Sequence, residues 1–528
     1  MAESSLAMEA HSFFLLEALG LSLFLFFLLK IFVKNPKPNL PPGPRKLPII
    51  GNIHQLAGEL PHRRLGRLAQ KYGPLFHLKL GETDFIVASS SETAVQILKT
   101  HDLAFASRPA LMAIKTIAYD CAGMGFSPYG AYWRQLRRIC SGEVLSSSRV
   151  KSFGSIRREE AGKLVETIAA AAGSPVNMTE MFLALTNNHV TRAAFGKECR
   201  SQARFLRAMK ETIKLAPVLS LVDLFPSMAF LSAIDGSKTK MKKLHREMDA
   251  ILDEIIADHR GKRSGEEEEE EEEEGDEMQE DLVDVLLRIQ QKGELEIPLQ
   301  MHHIKAVILR LIILFFFSLF SKDMLVAATE TTSSTLDWVM TELVRHPEAM
   351  HEVQLELRRS LKGKTEIQEG DIEELHYLKR VIKETLRLHP PLPLLLPRTC
   401  SENVEVLGYT VPSKSRVMVN AWAVGRDPKI WKDPEKFWPE RFEGSGVDFR
   451  GGNFEFIPFG GGRRMCPGLT FALAGMELFL ARLLYQFEWE LPGGRNPEEL
   501  DMEEEFDGSL RRKNHLYLLA FPCSSLEN

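Results

Sequence analysis

Cys466 lies in the run Phe459-Gly-Gly-Gly-Arg-Arg-Met-Cys-Pro-Gly468, directly ahead of a long apolar stretch with helical periodicity. A thiolate that ligates a metal needs a loop that lets main-chain N–H groups approach its sulfur, and glycines permit both that approach and positive φ. A helix starting just after the cysteine adds partial positive charge, which together with a metal lowers the thiol pKa. Phe459 is placed to shield the sulfur from water, and Arg464 offers a cation to an anionic group on whatever is bound. Two plainer readings compete: an inert buried thiol, or a glycine loop cradling phosphate. No Lys-Ser/Thr follows and no βαβ pattern surrounds the loop. The spacing Phe459-x-x-Gly462-x-Arg464-x-Cys466-x-Gly468 is too specific for an incidental thiol and favours a haem-thiolate loop.

Three further groupings carry chemistry. In Ala327-Ala-Thr-Glu-Thr-Thr332, a carboxylate (Glu330) and a hydroxyl (Thr331) are adjacent on a helical pattern. Such a pair can relay protons with ordered water, or the threonine can bond back to its own helix. Glu384 and Arg387 stand at i, i+3, where the ordinary reading is a surface ion pair. Trp133 and Arg137 share a helix face at i, i+4.

Together these segments resemble the cytochrome P450s, specifically plant microsomal members of the terpenoid-oxygenase type. The resemblance implies a mainly α fold with a small β-rich part, preceded by one transmembrane helix. It implies haem b with Cys466 as axial ligand and Phe459, Arg464 and Gly468 around it, and Trp133, Arg137 and Arg398 on the propionates. Glu330 and Thr331 would protonate bound O2, and Arg441, in Phe437-Trp-Pro-Glu-Arg-Phe442, would join Glu384 and Arg387 in a buried structural triad. A substrate pocket would draw on Leu111, Met112, Ile117, Ala327, Leu394, Leu395 and Ser509, mostly apolar positions suited to a hydrophobic molecule. Electrons would come from NADPH through NADPH–cytochrome P450 reductase, docking on a basic face with Arg134 and Arg138, with cytochrome b5 as a second donor. The implied reaction is hydroxylation of a small hydrophobic plant metabolite, a terpenoid before an alkaloid or a phenylpropanoid. An oxygen-independent rearrangement is the alternative chemistry. Ala328 departs from the family's usual glycine.

The elements that must position these residues fit a chain of 528 residues with ordinary apolar and charged content. Net charge −6 argues against nucleic acid. Six scattered cysteines without CxxC spacing argue for a reducing compartment and against zinc. Residues 1–11 form a lumenal N-terminus and 12–33 an uncleaved signal anchor of bilayer length. Basic residues after it (Lys34, Lys37, Arg45, Lys46) place the body on the cytosolic side of the endoplasmic reticulum membrane. Residues 34–50 make a stiff proline-rich hinge, and 51–528 the catalytic domain. Alternation over 74–89 predicts a β-hairpin, and a second β-rich stretch covers 402–418. Glu266–Glu274 predicts an acidic loop over 262–280. Residues 310–322 (RLIILFFFSLFSK) interrupt the family's central helix. Inserted in register, they would rotate what precedes them by about 220°, and their composition suggests retained intron or alternative splicing, which would make the chain an impaired variant.

Overall fold

Hydroxyl-bearing side chains fill the first half of Ala327–Arg345 and large apolar ones most of the second, in the helix at the centre of the molecule in this computed structural model. The structure describes residues 39–196, 204–205, 207–208, 221–228, 236–269, 280–312, 327–364, 366–506 and 509–523. Small side chains let five helices close on the central one: Met178–Phe195, Met301–Ile312, Pro347–Ser360, His376–Leu388 and Leu469–Gln486. Two of its hydroxyls bond back within the helix, Thr335 donating to the Thr331 carbonyl (2.8 Å) and Thr341 to that of Asp337 (2.7 Å), while Ser334 donates to the Leu510 carbonyl (2.6 Å). Leu469–Gln486 is apolar on nearly every face and correspondingly buried. Among the described residues it is the one helix long and apolar enough to cross a membrane, yet it lies in the core.

The β part is small. Leu75–Leu80 and Thr83–Ala88 form the hairpin expected at 74–89, turning at Gly81-Glu82. Thr83–Ala88 then pairs in parallel with Arg416–Val419, which is flanked by Arg398–Thr399, so one edge of this sheet carries Arg398. The stretch 402–418 supplies the hairpin Val404–Val406 with Tyr409–Val411. Two further small sheets join Val176–Asn177 and Phe487–Glu490 to Tyr517–Pro522, and Glu504–Phe506 to Leu510–Arg512.

Two expectations meet the structure differently. The acidic run, read as a loop over 262–280, is helical as far as Glu269, continuing the helix Ser237–Glu269. Glutamate is nearly as good a helix former as leucine, and a run of it need not end a helix already under way. Residues 270–279 lie outside the described residues, as do the anchor at 12–33 and most of the insertion. The start of the insertion, 310–312, continues the helix Met301–Ile312, whose Ile304, Val307, Ile308 and Leu309 are buried and whose Lys305 is gripped by Asp249 and Asp253 (2.7 Å each). The upstream helix therefore keeps a packed apolar face. Each of the five cysteines among the described residues is a free thiol.

Candidate active site

The loop before Leu469–Gln486 is built by close contacts that only glycine allows. Gly462 has φ +67°, and a Cβ there would fall 2.2 Å from the Leu98 carbonyl oxygen. The Gly462–Arg464 turn brings the Cys466 N–H back onto the Phe459 carbonyl at 3.0 Å. The cysteine faces a cavity of about 1740 Å³, open mouth included. A backbone hydrogen bond from Gly468 reaches its sulfur. Burial pushes the thiol up, and the Gly468 N–H and Arg137 pull it down without overcoming burial. The helix start alone therefore does not depress this thiol, and a bound metal must supply what remains. Phe459 lines the same cavity and is held edge-on by Phe449, with ring centres 5.3 Å apart.

Four guanidiniums line that cavity: Arg108, Arg137, Arg398 and Arg464. Arg464 donates to the carbonyls of Ala106 (2.7 Å), Met124 (3.0 Å) and Ser127 (2.6 Å), and lies 4.2 Å over the Trp133 ring. Arg137 donates to the Met465 carbonyl at 2.7 Å, and burial pushes its guanidinium down. Arg398 bonds the Gly461 carbonyl (3.0 Å) and Asp102 (3.3 Å), and burial takes it down to about 10. Arg108 reaches the carbonyls of Leu396 (2.6 Å), Pro397 (2.8 Å) and Gly125 (3.1 Å). No carboxylate appears among the described residues that line the cavity. Four arginines thus line a cavity whose described lining holds no carboxylate, with Asp102 on Arg398 behind it, and a guest carrying two carboxylates suits that wall.

The comparisons with known proteins agree. Residues 41–519 match the family profile described as Cytochrome P450. The chain is 48% identical over 521 residues to desmethyl-deoxy-podophyllotoxin synthase of Sinopodophyllum hexandrum, covering 98% of this chain and 99% of that one. It is 46% identical to premnaspirodiene oxygenase of Hyoscyamus muticus (97% and 98% covered) and to costunolide synthase of Cichorium intybus (92% and 93% covered). A zebrafish cytochrome P450 solved with progesterone superposes with a TM-score of 0.70 at 24% identity, covering 88% of this chain and 100% of that chain, a likeness of fold.

The chain is a cytochrome P450.

Haem fits the cavity of this P450 on two counts: a cysteine sulfur on one wall and an arginine excess suited to two propionates. Cys466 would ligate the iron, and Arg108, Arg137, Arg398 and Arg464 would face the propionates. Bound haem supplies the iron at which O2 is reduced and one oxygen atom is inserted into substrate. Trp133 lines the same cavity; its indole N–H donates to the Met124 carbonyl at 2.8 Å and its ring is the stacking platform of Arg464. Arg108 escaped sequence reading altogether. Its only signal is a charge set among apolar residues in Leu103-Ala-Phe-Ala-Ser-Arg-Pro-Ala-Leu111.

Thr331, with Thr332 and Thr335, lines the cavity from the central helix. Glu330 is next in sequence but about 100° around the helix. It is buried on another side, where Ser509 donates to it over a long 3.5 Å. Thr331 therefore presents a hydroxyl to the cavity while Glu330 stands behind it, and Ser509 serves Glu330 and is absent from the lining. The structure brings Glu384, Arg387 and Arg441 together, with Glu384–Arg387 at 2.8 Å and Glu384–Arg441 at 2.9 Å, the first two fully buried.

Of the expected pocket residues, Leu395 lines the cavity. Leu111, Met112, Ile117 and Leu394 instead pack in the surrounding core cluster, since an apolar side chain suits a dry core as well as a cavity wall. The side chain of Ala327 lies outside the described ones. Leu396, in the same turn as Leu395, also lines it, and the walls not foreseen are Leu392, Val190, Ala194, Val419 and Phe471.

Proposed function

We propose that this P450 hydroxylates a small hydrophobic plant metabolite of the terpenoid class. One atom of O2 would enter a C–H bond and the other leave as water, using two electrons from NADPH and two protons. The observation that carries the reading is the apolar part of the lining that Cys466 and Thr331 share: Leu386, Leu392, Leu395, Leu396, Val190 and Ala194 offer a substrate dispersion contact and no charge. The names of premnaspirodiene oxygenase and costunolide synthase support an oxygenase with such a substrate. NADPH–cytochrome P450 reductase is the proposed donor, with cytochrome b5 beside it. Both would dock on a face where Arg134 and Arg138 are exposed. The segment 12–33 would anchor the body to the cytosolic face of the endoplasmic reticulum.

The test is turnover by the full chain in microsomes with reductase, offered terpenoid hydrocarbons, alkaloids and phenylpropanoids in parallel. NADPH- and O2-dependent oxygenation of a terpenoid is the expected result, and oxygenation confined to the other classes overturns the assignment. A second reading concerns 310–322, which we infer to be retained intron or a splice variant. The reduced, CO-bound spectrum of the chain with and without these residues decides its effect. A red-shifted Soret band only in the shortened form marks this chain as impaired, and a band in both shows the segment tolerated. Uniform retention of these codons in mature transcripts sinks the splicing idea.

A further inference from the structure

Tyr119, Asp120 and Cys121 are three consecutive non-glycine residues with left-handed φ, at 48°, 55° and 64°. Aspartate tolerates this region, but tyrosine and cysteine rarely enter it, and a run of three persists only where contacts on both sides impose it. Those contacts are present.

On the outer side the Tyr119 hydroxyl donates to Asp249 at 2.7 Å, and its ring meets His245 edge-on with centres 4.8 Å apart. Asp249 and Asp253, one turn apart on the helix Ser237–Glu269, both hold the buried ammonium of Lys305 at 2.7 Å. Burial, then Asp249, push the Tyr119 phenol up, so it remains a donor. His245 also reaches the Ile117 carbonyl at 2.9 Å, fixing the residues just before the turn.

On the inner side, four of the next six residues offer their carbonyls to neighbouring side chains, three of them to Trp133, Arg108 or Arg464 on the cavity wall. Ala122 accepts from the Tyr132 hydroxyl (2.7 Å). Met124 accepts from the Trp133 indole (2.8 Å) and from Arg464 (3.0 Å). Gly125 accepts from Arg108 (3.1 Å) and Ser127 from Arg464 (2.6 Å). The 122–127 segment is therefore the seat of two of the four cavity arginines.

We propose that Tyr119 is a positioning residue for the haem seat: anchored by Asp249 and Lys305, it holds the left-handed turn that presents the 122–127 carbonyls to Arg108, Trp133 and Arg464. The assignment rests on haem occupying the arginine-lined cavity. It links the helices at 237–269 and 301–312 to the propionate side of that cavity without touching the guest.

The test uses the full-length holoenzyme and follows haem transfer to excess apomyoglobin, alongside the thermal midpoint. Tyr119→Phe removes only the hydroxyl and is expected to speed haem loss about tenfold, the worth of one hydrogen bond to a charged group. Asp249→Asn should follow it. Asp120→Gly added to Tyr119→Phe relaxes the turn at an exposed position and should bring the rate back to within about twofold of wild type. Haem loss at the wild-type rate in both Tyr119→Phe and Asp249→Asn overturns the proposal. So does a lowered thermal midpoint with unchanged haem loss, or a failure of Asp120→Gly to restore the rate. A wild-type chain with no red-shifted CO band fails the haem reading itself, and this proposal with it.

Discussion

Replacing Glu384 by glutamine probes whether the buried triad is an electrostatic unit. One carboxylate oxygen accepts from Arg387 (2.8 Å), Arg441 (2.9 Å) and the Trp438 N–H (2.8 Å), and the other from the Arg387 Nε (2.8 Å). Glutamine keeps the shape, removes the charge and turns an NH2 toward donors. Two guanidiniums, with 0% and 6% of their side chains exposed, then face each other without an anion. Breaking such a pair costs about 3–5 kcal/mol, about a fifth or more of the 5–15 kcal/mol typical of a folded domain. Arg387 and Arg441 also collect the carbonyls of Gly425, Lys432, Asp433, Pro434 and Lys436, so the meander under the cysteine loop should loosen with them.

Arg441→Met should cost less, about 1–2 kcal/mol, because Glu384 and Arg387 stay paired. In the double variant the two losses should fall short of their sum by more than 0.5 kcal/mol, roughly the limit within which independent sites add. Urea unfolding followed by far-ultraviolet circular dichroism reads the stabilities, and Soret absorbance reads haem. A Glu384→Gln loss below about 1 kcal/mol, or strict additivity with Arg441→Met, would refute an electrostatic unit.

Cys466→Ala should abolish the red-shifted Soret band of the reduced CO complex and all turnover; turnover that survives removes the thiolate from the mechanism. Thr331→Ala takes away the hydroxyl facing the cavity, so product formed per NADPH should fall at least about tenfold while CO binding stays. Equal product per NADPH would take Thr331 out of proton delivery. Asp337 is buried beside Arg512 and accepts from Thr179 at 3.1 Å, and burial takes its carboxyl up to about 7. A raised carboxyl favours the folded state fully only below its unfolded value. Wild-type stability relative to Asp337→Asn should therefore fall by about 1.4 kcal/mol per pH unit from about 4 to 7. A difference that is flat with pH would show the group ionised throughout.

What could be read beforehand follows from how many alternatives each residue type leaves open. Gly462 was legible because a left-handed φ with a carbonyl 2.2 Å from a would-be Cβ admits almost nothing else. The helical centre and the 74–89 hairpin were legible because burial writes a period into the chain. Leu111, Met112, Ile117 and Leu394 were harder to place, because apolarity is common to core and cavity wall, and the sequence does not say which side of a packed layer a leucine faces. For Trp133 the i, i+4 spacing with Arg137 is plain in the sequence, whereas the Met124 carbonyl that takes its N–H arrives on a separate loop.

Arg108 marks the deeper reason. A buried arginine is costly unless its donors are met, and here they are met by carbonyls from Gly125, Leu396 and Pro397, up to 289 residues away in the chain. No local pattern announces such a partner set. Pairwise spacing therefore finds groups that act through their neighbours in sequence, such as Glu384 with Arg387. It misses groups whose partners are assembled by the fold, and Arg108, with the left-handed turn behind it, is of the second kind.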